Sequence, residues 1–416
     1  KYGRRPLLMH ILFVVQRYGE DIAGGSEQCC RSFAENLASR GHEVEVATSC
    51  ACDYTNWANV LPEGDELING VLVHRFPIDR LRDRSYFEHL DGRVVWGSAP
   101  ASWRDQEAWG DEVGPRTIDI PAYIFRRAME FDVIVFFTYL YYTTVRGLPA
   151  AAGRAPTLFQ PTAHLEPQLS VPLFNHIFRQ PDGMAFLTEE EAELVTSRFG
   201  HRPAEAVVGV GCDLAAEGDG DRFRTAHKLG DAPFLLSIGR VDSWKGSLEA
   251  VDYFIAFKER NPSDLRLVIV GDPVTSLSKH PDILLTGFLP ESEKADAIAA
   301  CTAFLQPSYF ESFSMALTEV WALRRPALVQ GRCDVLVGQA QRSGGALHYD
   351  GFAEFEAATQ LLLENSELRE RLANNGRRYV EENYSWDSVM DTYEDLLVRT
   401  VNAFCTRHSP QPVKGR

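Results

Sequence analysis

Short runs of consecutive apolar residues alternate along this chain with stretches whose apolar positions recur at helical spacing, and this alternation limits the fold more than any other feature. Strands that read as near-continuous apolar runs are buried on both faces, which a parallel sheet with helices on either side provides. The first series of runs is His10–Gln16, Glu43–Thr48, Phe131–Phe137, Pro156–Gln160 and Gly183–Leu187. After a turn-rich YGEDIAGGSE, Cys30, Phe33, Ala34, Leu37 and Ala38 fall at i, i+3, i+4, i+7 and i+8, predicting an amphipathic helix that Gly41 ends. Thr188 and Glu191 have capping-box spacing and Gly200 sits where a helix would stop.

After Ala206–Gly211 the composition turns abruptly to CDLAAEGDGD, small, acidic and glycine-containing, as a linker should be. A second series follows in Phe234–Ile238, Leu267–Val270, Ile283–Leu285, Ala303–Gln306, Ala327–Gln330 and Ala346–Tyr349. At roughly 100–200 residues per domain, 416 residues make two domains the simplest count. The expected class is α/β, with two Rossmann-like domains over 1–212 and 213–385. Open parallel sheets bind ligands beyond the carboxyl ends of their strands, so two such domains facing one another would create a binding cleft.

A formal charge of -16 argues against a nucleic-acid binder, which needs a basic face to replace counterions on phosphate, so any polyanion must meet a local basic site. The eight cysteines are scattered without Cys-x-x-Cys pairs or zinc spacing, which fits reduced thiols and a cytoplasmic setting. The opening KYGRRPLLMHILFVVQ has a basic and then an apolar part but no small-residue cleavage site after it, and reads as a first strand. No apolar run is long enough to span a bilayer, leaving peripheral contact at a cytoplasmic membrane face as the most that is expected.

Two segments carry chemistry. In SIGRVDSWKGSLEAV, Arg240 closes a strand and Lys245 precedes Gly246 at a helix start, so a diphosphate could lie between two cations and a helix N-terminus without a metal. Two solvated surface cations are the plainer reading of the same residues. In PSYFESFSMALTEVWA, Glu311 precedes a helix and Glu319 lies two turns into it. Glu319 is placed to accept from vicinal hydroxyls such as those of a ribose; Glu311, with backbone N–H groups over Ser312, Phe313 and Ser314, could hold a sugar.

These motifs resemble, in order along nearly the whole chain, the GT-B glycosyltransferases of family 4, retaining enzymes with a Glu-x7-Glu signature. The resemblance runs through the Gly24–Gly25 loop, GHEVEVAT, His164 in QPTAHLEP, Arg240 and Lys245, Gly287 in LLTGF, Glu311 and Glu319, and NYSWDSVMDTYEDLL. It implies Arg240 and Lys245 on a donor diphosphate, Glu319 on the ribose, Glu311 on the donor sugar, His164 beside the anomeric centre, and the Gly24–Gly25 backbone near phosphate or acceptor. It also implies a last helix, about 386–404, crossing back to the first domain before a tail over 405–416, and closure over the donor. Many members have glycine where this chain has Ser312 and Ser314, a departure that bears on sugar choice.

The resulting expectation is a metal-independent hexosyltransferase of carbohydrate biosynthesis, with no cofactor. It would move a sugar from a UDP- or GDP-sugar to a hydroxyl of a sugar, lipid-linked or small-molecule acceptor, with retained configuration and no covalent carboxylate intermediate. A nucleotide-sugar epimerase of the same fold and a catalytically silent nucleotide-sugar binding subunit are the alternatives. His164-x-Glu166 has no second ligand pair to make a zinc site. For an acceptor, Tyr86, Phe87, Trp96, Trp103 and Trp109 offer aromatic faces, whereas Phe136, Phe137, Tyr139, Tyr141 and Tyr142 read as core. Arg80, Arg82 and Arg84 could touch an acidic lipid head group, but a solvated loop is the plainer reading.

Overall fold

A computed structural model describes residues 8–22 and 24–409. They form two compact units, one reaching to Val208 and resuming at Met390, the other Gly209–Val389.

The first unit holds an eight-stranded sheet. Its strands are β1 (His10–Val14), β2 (Glu43–Ser49), β3 (Gly64–Ile68), β4 (Val71–Phe76), β5 (Val133–Phe137), β6 (Thr157–Gln160), β7 (Gly183–Phe186) and β8 (Ala204–Val207). Their order is β3-β4-β2-β1-β5-β6-β7-β8, parallel except for β3, which pairs antiparallel with β4. The run FDVIVFF becomes a strand only from Val133, because Ala128–Glu130 forms a 3-10 turn and Asp132 Oδ2 accepts from the His10 backbone at 2.8 Å. The strand β5 is fully buried, as continuous apolar sequence requires.

The Glu45 carboxylate is buried toward the amino end of this sheet. Glu45 on β2 is 4% exposed and accepts from His10 Nε2 (2.9 Å), His74 Nε2 (2.8 Å), Tyr123 Oη (3.0 Å) and Arg127 (2.9 Å). Burial alone would raise its pKa, but the hydrogen bonds from His74, Arg127, His10 and Tyr123 outweigh that and hold the carboxyl well below the usual range.

The second unit holds six parallel strands: β9 (Phe234–Ile238), β10 (Arg266–Val270), β11 (Ile283–Gly287), β12 (Ala303–Gln306), β13 (Ala327–Gln330) and β14 (Ala346–Tyr349). Their order is β11-β10-β9-β12-β13-β14. The core joins Leu235, Leu267, Leu305 and Leu328 from the sheet to Val251, Phe254 and Phe257 of helix Ser247–Arg260. The expected parallel α/β architecture in two domains is therefore the one found. Among the described residues no helix is long and apolar enough to cross a membrane.

The last helix, Trp386–His408, starts in the second unit and belongs to the first from Met390 onward. Within the first unit Met390, Tyr393, Leu396 and Leu397 are fully buried. The Tyr393 ring lies 4.5 Å from that of Phe33, and its hydroxyl donates to Gln160 Oε1 at 3.2 Å.

Candidate active site

In the second unit the segments carrying Arg240, Gly287 and Glu311 all lie at the carboxyl ends of parallel strands. Beyond β9, Arg240 donates to Asp242, whose other oxygen accepts from the Lys245 backbone N–H at 2.8 Å. That turn feeds helix Ser247–Arg260 through Gly246, whose φ of 69° lies in the left-handed region. A Cβ there would stand 2.0 Å from the Pro307 carbonyl oxygen, so glycine lets the β9 turn seat directly against the segment after β12. Lys245 Nζ then reaches Glu311 Oε1 at 2.7 Å. Arg240, Asp242, Lys245 and Glu311 thus form one chain of contacts, with the Trp244 and Phe310 rings 5.4 Å apart beside it.

The Glu311 segment is held from below. Gln306 Nε2 donates to Ser314 Oγ (2.7 Å) and Gln339 Nε2 to the Phe313 carbonyl (2.6 Å), while Phe313 and Ser314 are buried and Ser312 is half-buried. Ser314 has φ 72°, a conformation that favours glycine, and starts helix Met315–Ala322. Its hydroxyl is turned to Gln306, which accounts structurally for a serine at this position.

Glu319, half-buried on that helix, accepts from Lys294 Nζ at 3.0 Å, and Lys294 also contacts Glu291 at 2.7 Å. Burial pushes the Glu319 carboxyl above the ordinary range, and the Lys294 charge restrains the rise. Lys294 itself is raised: burial would lower it, but the Glu319 and Glu291 carboxylates outweigh that. Gly287 ends β11 with φ 74°, its carbonyl accepting from Gly271 N at 2.9 Å; Phe288 beside it is 66% exposed. Sequence reasoning missed Asp242 and Lys294; the signal for the latter is a lone cation in helix Glu291–Ala300.

In the first unit, Gly24 precedes helix Gly25–Ser39 with φ 153°, and a Cβ on it would meet Glu27 Oε2 at 2.3 Å. Glu27 accepts from Arg17 at 2.6 and 2.8 Å; both side chains are buried, and Arg17 also donates to the Cys52 carbonyl at 2.7 Å. His164 lies beyond β6, its Nδ1 3.5 Å from Glu166, which also accepts from the Tyr139 hydroxyl. The backbone beside it is fixed by Glu191, which accepts from Ala163 N (2.5 Å) and Leu187 N (2.6 Å). Burial raises the Glu191 carboxyl to about 8.

Phe136, Phe137 and Tyr139 are buried as expected; of the aromatic faces expected to be available to an acceptor, Tyr86, Trp96 and Trp103 are exposed, but Phe87 is half-buried and Trp109 is buried in the core. Of Arg80, Arg82 and Arg84, read as a solvated loop, Arg80 and Arg84 are exposed, Arg84 as the first residue of helix Arg84–Val94, and Arg82 is not. Arg82 turns inward over the Phe87 and Trp57 rings (4.7 and 5.4 Å) and caps the Glu112, Val113 and Tyr54 carbonyls, and Arg80 pairs with Glu112, because the end of helix Trp103–Val113 presents those acceptors. Among the described residues, ligand-type atoms of His10, Glu43 and Glu45 lie within 4.8 Å of one another, but Arg127 already donates to both Glu45 oxygens.

Residues 219–379 match the family model "Glycosyl transferases group 1", and residues 24–211 match "Glycosyl transferase 4-like domain". A relative in Xenopus tropicalis, "Glycosyltransferase 1 domain-containing protein 1", is 26% identical over 41% of this chain and 52% of its own length. The D-inositol 3-phosphate glycosyltransferase of Acidothermus cellulolyticus is 25% identical over 92% of this chain and 88% of its own. The chain thus spans about half the length of the first relative and most of the second. The crystal structure of Anabaena HepE in complex with UDP-glucose superposes with a TM-score of 0.66 at 14% identity, covering 95% of this chain and 100% of that one.

Proposed function

From the premise that this chain is a glycosyltransferase of the GT-B fold, we propose that it moves a hexose from a UDP- or GDP-sugar to a hydroxyl acceptor, retaining anomeric configuration and using no metal. The acceptor class is a sugar, a lipid-linked sugar or a small molecule. The observation that carries this reading is the Lys245–Glu311 pair at 2.7 Å, which joins the loop after β9 to the loop after β12. A diphosphate drawn to Lys245, Arg240 and the start of helix Ser247–Arg260 would bring its sugar beside Glu311.

In this mechanism Arg240 and Lys245 stabilise the charge that develops on the departing diphosphate, and charge-assisted contacts that strengthen as the bond breaks lower the barrier. Asp242 is a positioning residue, fixing the Arg240 guanidinium and the Lys245 backbone together. Glu319 accepts from the ribose hydroxyls and Glu311 from the sugar. The leaving phosphate takes the acceptor's proton on the face it departs from, so no carboxylate nucleophile is needed. His164 and the Gly24–Gly25 backbone serve the anomeric centre and the phosphate or acceptor. That HepE is solved with UDP-glucose supports a nucleotide sugar as donor.

The test is acceptor-dependent release of nucleoside diphosphate from a panel of UDP-, GDP- and TDP-sugars, with and without EDTA. Turnover is expected to survive chelation with one base strongly preferred. Loss of all turnover in EDTA, restored by Mg²⁺ or Mn²⁺, would overturn metal independence; donor consumption without any acceptor would overturn transfer.

A further inference from the structure

The carboxyl ends of the second sheet hold the residues just described, yet an unassigned cavity opens at its amino ends. It has a volume of about 360 Å³ and is lined by Arg224, Arg324, Arg325 and Arg369, with Thr302 and Ser366 among its polar walls. Thr302 and Arg325 lie just ahead of β12 and β13, the opposite end of those strands from Glu311.

Three of these guanidinium groups are set in place by backbone carbonyls. Arg224 donates to Gly230, Ala232 and Ala300 (3.0, 2.9 and 2.7 Å), Arg369 to Leu362 and Leu363 (2.6 and 3.0 Å), and Arg325 to Ala299. A carbonyl carries no net charge, so these bonds orient the cations without neutralising them. None of the four pairs with a carboxylate of the described residues, and the cavity's one acidic wall residue is Glu370. Arg325 Nε is buried with no hydrogen-bond partner, although a guanidinium has five donors to satisfy. In a chain of net charge -16, four arginines against one glutamate make this wall locally basic.

We propose that this cavity is a second, non-catalytic binding site for a small phosphate-bearing anion. Guanidinium forks match phosphate oxygens in pairs, and arginine rather than lysine is the residue suited to that planar recognition. The volume is at the low end for ligand sites, which fits one phosphate or diphosphate ester and not a polymer. Ser366 begins an 18-residue helix at the cavity wall, and its end adds partial positive charge to the same place.

The experiment titrates pyrophosphate calorimetrically into the full chain carrying Arg240→Ala and Lys245→Ala, so that the donor site does not answer. Saturable binding of one equivalent is expected, weakening as salt rises. Adding Arg324→Glu and Arg369→Gln should reduce affinity by about tenfold or more. Arg324→Glu alone, at an exposed side chain that caps no carbonyl, should weaken binding with the melting temperature unchanged, which keeps the result separate from folding. No saturable binding in the first protein, or equal affinity in the second, overturns the site. Co-sedimentation with phosphatidic acid vesicles without pyrophosphate binding overturns a soluble ligand.

Discussion

Glu311 and Glu319 stand eight residues apart, yet each meets a different cation: Lys245 at 2.7 Å for the first, Lys294 at 3.0 Å for the second. Spacing alone does not distinguish the two, whereas their partners differ. On the proposed reading Glu319 holds the ribose equally before and during reaction, so Glu319→Ala should mainly raise the donor KM, whereas Glu311→Gln, proposed to act at the sugar, should mainly lower kcat. Each lost charged hydrogen bond is worth about 1.5–3 kcal/mol, on the order of ten- to a hundredfold. If both variants lose only donor affinity, Glu311 is a binding residue. Lys294 supplies a sharper check. Glu319 must be ionised to accept from two hydroxyls, and its pKa is raised by burial, so donor affinity should fall as pH drops into the mildly acidic range. Lys294→Met removes the charge that restrains this rise and should move the acid limb of the KM profile to higher pH, with Lys294→Arg restoring it. A KM raised equally at every pH would make Lys294 merely structural.

Elements whose apolar runs are continuous were legible in the sequence almost to the residue: β9, β12, β13 and β14 fall where periodicity puts them, as does the helix between Thr188 and Gly200. The β3–β4 hairpin was not, because GDELI is polar and exposed at a sheet edge, although Asn69-Gly70 at its turn is a hairpin signal. Capping spacing was read correctly for the Thr188 side chain, which accepts from Glu191 N at 3.2 Å, but the Glu191 carboxylate goes to Leu187 and to Ala163, a residue distant in sequence. Local pattern carries no information on such a partner. The same holds at Gly246, where sequence suggests a helix start and only the fold reveals the Pro307 carbonyl against it. Gly246→Ala should therefore act on two elements at once. Left-handed backbone strain costs of order 1–3 kcal/mol, and the close contact must in addition push the β12 segment away from Lys245. The expected result is a lower melting temperature together with reduced kcat; unchanged kcat in a folded protein would show that the Lys245–Glu311 seating does not matter to turnover.

At the scale of the molecule, the abrupt change of composition near residue 212 announced two domains, with the contact boundary falling at Val208/Gly209. What the sequence could not supply from composition was the return of the chain to the first unit, since helix Trp386–His408 is amphipathic and would suit either one. Its partners decide. Arg40 pairs with Asp391 (2.7 Å) and Glu394 (3.1 Å), and Arg399 caps the Glu205 carbonyl at 3.0 Å. Gly183 on β7 leaves room for Thr400, whose Oγ1 would stand 2.2 Å from a Cβ there. Burying Met390, Tyr393, Leu396 and Leu397 is worth on the order of 6–12 kcal/mol as an upper estimate, comparable with the whole stability of a typical domain. The exposed ion pairs add little beside this. A chain ending at Val389 should consequently lose hydrogen-exchange protection in β1, β5 and β6, the part of the first sheet next to Phe33 and Gln160, while β9–β14 keep theirs. Tyr393→Ala in the full chain should move the first unit the same way by a smaller amount, without removing the helix. If the truncated chain protects both sheets as the full one does, the returning helix is dispensable to the first unit and its buried face contributes far less than its area implies.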